Sequence, residues 1–94
     1  VRDAIRTVGQ YRDAVGDEVD LCIEIHRRLN PAEAVQLGLG IEKYHPLFME
    51  DPVTPDNLDE MAYVASKINV PIATGERFNS LWDFEMLLRR NGVQ

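Results

Sequence analysis

The sequence predicts an α/β fold of consecutive parallel strand–helix units, and two observations predict it. Helical and strand periodicities alternate along the 94 residues in the order αβαβαβα, and such alternation implies right-handed βαβ units around a parallel sheet. A glutamate also closes each of three successive apolar runs. Glu24, Glu50 and Glu76 recur every 26 residues. The C-terminal ends of consecutive parallel strands are where both open α/β sheets and TIM barrels keep their chemistry.

Residues 1 to about 15 read as a helix, because Val1, Ala4, Ile5, Val8, Tyr11 and Val15 fall at helical spacing, with Gly16 as its stop. Val19–Ile25 reads as the first strand. Alternation puts Leu21, Ile23 and Ile25 on one face and Asp20, Cys22, Glu24 and His26 on the other. Asn30-Pro31-Ala32-Glu33 is a helix start, with Asn30 as cap and Pro31 where its missing N–H is harmless. That helix is expected to reach about Tyr44. Gly38 and Gly40 lie inside it and each costs roughly 1 kcal/mol against alanine, so close packing against a strand is expected there. His45-Pro46 ends it.

Leu47–Glu50 is the second strand, ended by Asp51-Pro52. Asp56 is read as the cap of the next helix, whose apolar stripe is Leu58, Met61, Ala62, Ala65 and Ile68. Val70–Thr74 is the third strand. Ser80 and Asp83 start a last helix with Leu81, Phe84, Leu87 and Leu88 apolar, Arg89 and Arg90 at its C-terminal dipole and Gly92 closing it. Val93-Gln94 reads as the start of another strand, and Val1 has no cap before it, so both ends look cut from something longer.

Composition narrows the function classes. A formal net charge of −6 makes free nucleic acid and anionic membrane poor partners and suits a site that attracts a divalent cation. A hydrophobic content of 45% is that of a folded domain. The single cysteine, Cys22, cannot form an internal disulfide, thiol metal motifs are absent, and a cytoplasmic location is the expectation. No apolar run approaches the roughly 20 residues of a membrane-spanning helix.

Three strand-end carboxylates suit a hard cation such as Mg²⁺, which takes oxygen ligands together with substrate and water. His26, two residues from Glu24, stands beside any metal that Glu24 holds, and imidazole suits proton transfer near neutral pH. Other residues are given structural roles. His45 lies at the wrong end of the sheet, Asp51 points away from Glu50 and braces its loop, and Arg27 and Arg28 could contact an anionic substrate, with solvated loop charge the favoured reading. Arg77 could serve substrate or solvent, Trp82 packs its helix, and Cys22 is a small core residue.

Glu24-x-His26, the Phe-Met-Glu-Asp-Pro of 48–52 and the Ala-Thr-Gly-Glu-Arg-Phe of 73–78 resemble the enolase superfamily. Within it they are similar to the mandelate racemase-like acid-sugar dehydratases of the galactonate dehydratase type. Residues 78–83, Phe-Asn-Ser-Leu-Trp-Asp, are similar to the mannonate dehydratase type. The resemblance runs over essentially the whole chain. It implies the third, fourth and fifth strands of a (β/α)7β TIM-type barrel, with residues 1–94 a segment of the C-terminal barrel domain and the N-terminal capping domain absent.

It further implies that Glu24, Glu50 and Glu76 are Mg²⁺ ligands and that His26 is the acid that protonates a leaving hydroxyl. The reaction would be β-elimination of water from a sugar acid through an enediolate, giving a 2-keto-3-deoxy acid. The family commonly has Asp at the first ligand position. Glu24 is one methylene longer, on the order of 1.5 Å, which rotamers absorb. The general base and the cap lie in strands and a domain outside this sequence.

Two alternatives remain open: another mandelate racemase-subgroup reaction such as racemisation or epimerisation, and a non-catalytic metal-binding half-barrel. A small doubly wound signalling domain with an acidic Mg²⁺ pocket would need five strands and ranks last. Whichever holds, a partial barrel leaves edges and apolar surface open, so the 94 residues alone are expected to be inactive and to form a homo-oligomer. Phe48, Cys22 and Ile72 are expected to face the missing core.

Overall fold

The computed structural model describes residues 1–94. The elements follow in the order α1 (Arg2–Val15), β1 (Cys22–Glu24), α2 (Pro31–Ile41), β2 (Phe48–Glu50), α3 (Leu58–Lys67), β3 (Ile72–Ala73) and α4 (Leu81–Arg89), with a 3-10 turn at Glu42–Tyr44. The sheet is parallel, its strands lie in sequence order β1-β2-β3, and β1 and β3 are its edges. This is the predicted succession of βα units, and no helix is long and apolar enough to cross a membrane.

The strands are shorter than periodicity suggests. Ladder bonds extend β1 one step at each end, through Leu47 N–H to the Leu21 carbonyl and Ile25 N–H to the Glu50 carbonyl. Before that, the Val19 carbonyl is taken by the Arg12 guanidinium rather than by a neighbouring strand. After it, His26 and Arg27 turn into left-handed backbone, with φ of 59° and 63°. His26 is therefore not a strand residue facing the same way as Glu24 by alternation, but the first residue of a turn.

Register decides which side chains face the helices. Cys22 pairs with Phe48, Ile23 with Met49, Glu24 with Glu50, Met49 with Ile72 and Glu50 with Ala73. Met49 and Ile72 lie on the helix side and join Ala34, Leu37 and Ile41 of α2 and Met61, Val64 and Ala65 of α3 in one buried cluster, with Val8 of α1 and Leu87 of α4 at its margins. Full burial of such side chains stabilises by roughly 1.5–3 kcal/mol each. Ile72, expected on the inner face, is buried under the helices instead, because its partner is Met49 and not Phe48 or Glu50. Cys22, read as a core residue, is exposed. It lies on the open face with Glu24 and Glu50.

The caps explain where the helices begin. Asn30 Oδ1 accepts from Glu33 N–H at 2.9 Å while Glu33 Oε2 accepts from Asn30 N–H at 3.1 Å, a reciprocal capping box that holds the entry to α2. Asn57, not Asp56, caps α3. Its Oδ1 accepts from the N–H groups of Asp59 and Glu60, and Asp56 lies one residue too early. Ser80 caps α4 by accepting from Asp83 N–H. The helical glycines do pack closely, but against the flanking helical layers rather than a strand. A Cβ on Gly38 would meet the Ile68 side chain at 2.7 Å, and one on Gly40 would run into the Ile5 side chain.

At the last helix the apolar stripe is largely uncovered. Leu87 is buried, whereas Leu81, Phe84 and Leu88 are exposed and Trp82, read as a packing residue, is 68% exposed. Asn91 takes the left-handed position after α4 (φ 54°), and Gly92 donates to the Leu87 carbonyl. Val93-Gln94 form no strand. Val93 packs on the core, and the Gln94 side-chain oxygen accepts the Ile72 N–H at 2.8 Å.

Candidate functional site

The C-terminal edge of the sheet gathers the acidic strand ends. Glu24 and Glu50 end β1 and β2 as direct register partners, so both carboxylates leave the same open face. Strand spacing sets their backbones about 4.8 Å apart. Burial, followed by the negative charges of Glu24, Asp51 and Glu76, pushes the Glu50 carboxyl above its ordinary range. The glutamates therefore feel one another across the sheet edge.

Glu76 reaches the site by another route. The residue opposite Glu50 on β3 is Ala73, and Glu76 follows three residues later on a turn. Gly75 permits that turn with φ 130°. Its neighbour Phe78 donates its N–H to the Gly75 carbonyl and stacks edge-on against Phe84 at 5.1 Å between ring centres. The equal 26-residue spacing is thus not equal register.

Arg27 binds Glu76. Its Nη1 donates to Glu76 Oε1 and, at 2.7 Å, to Asp51 Oδ2. This hydrogen bond is the main cause of the lowered Glu76 carboxyl, and the same two acidic partners hold Arg27 more firmly protonated. The side chain of Arg27 is 15% exposed, so the reading of it as solvated loop charge gives way to a bridging one. Asp51 braces its loop, as expected. It is 1% exposed, has φ 45°, and accepts from Arg27 and from Thr74 Oγ1. Sequence reasoning missed the Arg27–Asp51–Thr74 set. Its signal is an ionisable residue directly after each of the first two strand-end site residues.

His26 lies beside this set. Its N–H donates to Glu24 Oε1 at 2.6 Å, and its Nε2 is 3.1 Å from Arg27 Nη2. A guanidinium has no acceptor, so that contact requires the free lone pair of Nε2. Arg28 is exposed in the same turn. Arg77 is exposed and lines a separate cleft with Asp56 and Asp83. His45 sits at the opposite end of the sheet, where its carbonyl accepts from Arg12.

In this arrangement no three His, Cys, Asp or Glu side chains gather at metal-holding distance. Glu24 is engaged with the His26 backbone and Glu76 with Arg27. The donors themselves fit a hard divalent cation. They are all carboxylate oxygens, two of them adjacent on one face, and the burial and neighbouring negative charge that raise Glu50 are what a bound cation would offset.

The family model described as enolase C-terminal domain-like matches residues 1–94. A D-galactonate dehydratase family member of Catenulispora acidiphila is 39% identical over 93 residues, covering 99% of this chain and 22% of that protein. A crystal structure of a mandelate racemase/muconate lactonizing enzyme-like protein from Roseovarius sp. TM1035 superposes with a TM-score of 0.91 at 40% identity, over 96% of this chain and 23% of that one. The mandelate racemase/muconate lactonizing enzyme from Sulfitobacter sp. gives 0.91 at 37%, again over 96% and 23%. The chain spans less than a quarter of the length of these relatives.

Proposed function

The chain belongs to the enolase C-terminal domain-like family, and on that premise we propose that it is the segment of a longer barrel enzyme that carries an acid-sugar dehydratase's metal ligands and general acid. The α/β sheet is then the portion of a TIM-type barrel around its third to fifth strands. The reaction is loss of water from an aldonic acid to give a 2-keto-3-deoxy acid. The observation that carries this reading is the Glu24–Glu50 register pair with His26 beside it at the C-terminal edge of a parallel sheet. It occurs in a chain whose relatives include a galactonate dehydratase family member.

Glu24, Glu50 and Glu76 would hold Mg²⁺, which when bound supplies positive charge to a substrate carboxylate and to the anion formed on removal of its α-proton. Glu24 and Glu50 need no rearrangement of backbone, since the ladder already places them side by side. Glu76 offers its second oxygen while Arg27 keeps the first. His26, once its Nε2 has left Arg27 and taken up a proton, delivers that proton to the departing hydroxyl, while its backbone N–H donates to Glu24. The base that removes the α-proton comes from outside these 94 residues.

The test is turnover of a panel of aldonic acids by the full-length protein with Mg²⁺, followed by mass spectrometry. Loss of one water from one or a few members, abolished by Glu50→Gln, supports the dehydratase. Unchanged mass with inversion at the α-carbon selects the racemase or epimerase chemistry instead, and inertness toward every acid defeats both.

A further inference from the structure

Each of the three strand-end units places one ionisable group against a single guanidinium. Arg27 touches His26 through Nη2, Asp51 through Nη1 and Glu76 through the same Nη1. Its backbone is fixed independently, since Arg27 N–H donates to the Asp51 carbonyl at 2.7 Å and Leu29 N–H donates to the Pro52 carbonyl at 3.3 Å. The turn after β1 is thereby stitched to the turn after β2, and the arginine side chain lies across the sheet edge on a buried carboxylate.

The three glutamates differ in how they are held. Glu24 and Glu50 are strand residues fixed by the ladder. Glu76 stands on the turn after Gly75, outside the ladder, with its side chain 46% exposed. A glutamate side chain on a turn samples several rotamers unless something orders it. Arg27 orders it, and it does so through Oε1 alone.

We infer that Arg27 is a positioning residue for Glu76: anchored on Asp51, it presents the second oxygen of Glu76 toward the divalent cation that Glu24 and Glu50 share. This rests on the metal-site reading above. Groups that hydrogen-bond a metal-ligating carboxylate are typically worth 10–100-fold in metal affinity when removed. The opposite reading makes Arg27 a resident cation that competes with the metal, and it predicts the opposite sign.

The experiment is Mn²⁺ binding to the full-length protein without substrate, read by electron paramagnetic resonance of the free ion. Native protein, Arg27→Met, Arg27→Lys and Glu50→Gln are compared. Expected are measurable binding by native protein, roughly 10–100-fold weaker binding by Arg27→Met, and an intermediate value for Arg27→Lys, which restores the charge without the fork. Unchanged or tighter binding by Arg27→Met overturns the inference while leaving the metal site standing.

If native protein and Glu50→Gln bind Mn²⁺ equally, or neither binds it, the metal reading itself fails. Arg27→Met strands the buried Asp51 carboxylate. Should it not fold, Arg27→Met with Asp51→Asn removes both charges and is read in its place, with the same loss expected and the same result overturning the proposal. Thermal unfolding of each metal-free variant separates lost affinity from lost structure.

Discussion

Glu24 and Glu50 stand directly opposite each other on β1 and β2, and both leave the open face of the sheet. Burial and the charge of Glu24, with those of Asp51 and Glu76 behind it, keep the Glu50 carboxyl above its ordinary 4.5. A carboxyl raised on folding holds a proton that the unfolded chain has released, so its contribution to stability falls as pH rises from 4.5 through the folded value. Glu76 has the opposite sign. Arg27 lowers it, so its contribution is present above 4.5 and is lost as pH falls through the folded value.

The first prediction follows from these signs. In metal-free buffer Glu50→Gln gains stability over the native protein at pH 7, and the gain vanishes below pH 4.5. Glu76→Gln loses stability at pH 7, and its deficit vanishes in acid. Thermal unfolding over a pH series reads both, and a Glu50→Gln variant less stable than native at pH 7 would contradict the repulsion argued here.

The second prediction concerns His26. In the full-length protein His26→Asn removes the ring proton donor but keeps a residue able to adopt left-handed backbone at φ 59°. Dehydration is expected to drop by roughly 10²–10⁴-fold, the usual share of a general acid, while metal affinity stays within about threefold. Exchange of the substrate α-proton persists, because another group removes it. Steady-state turnover and deuterium wash-in measure the two steps, and turnover at the native rate removes His26 from the reaction.

Gly75 gives the third. Its φ of 130° is accessible to glycine alone, and a Cβ there would come within 2.8 Å of Phe84 Cε1. Gly75→Ala is expected to cost about 1–3 kcal/mol from backbone strain and to shift the turn that carries Glu76. Metal affinity should fall with it, whereas alanine at exposed Gln36 on α2 leaves affinity unchanged. Chemical denaturation and a metal titration on the two variants check both effects.

The order of elements and the glutamates that end β1 and β2 are readable because periodicity and strand-end position are local properties of a sequence. Register is not local. Nothing between residues 50 and 76 says that Glu50 faces Ala73, so sequence alone puts Ile72 on the wrong face and Glu76 at a strand end instead of on a turn. Side-chain bridges are equally invisible. Arg27 looks like any loop arginine until Asp51 and Glu76 are brought to it from 24 and 49 residues away. Cap residues fall between these cases. Asp56 and Asn57 are both competent, and the backbone alone chooses Asn57.

The last prediction is that the isolated 94-residue chain self-associates and does not turn over sugar acids. The structure buries 19 of its 94 residues, and small chains remove only a modest share of their surface from water. Leu81 is 75% exposed, Trp82 68% and Leu88 62%, all on α4. Cys22 on the open face is exposed too, and β1 and β3 are both sheet edges, with only the Ile72 N–H of β3 taken by Gln94. Apolar surface and open strand edges of this kind drive association. Charged substitutions at exposed Leu81 and Leu88 should therefore lower the solution mass if α4 is the contact, whereas a Cys22→Asp change should do so if the open face is. Sedimentation equilibrium of the native chain and these variants distinguishes the two surfaces. Incubation with aldonic acids and Mg²⁺ completes the test, because the α-proton has no base among these residues in the proposed reaction. A native chain that sediments as a monomer and releases water from a sugar acid would overturn both halves of the prediction.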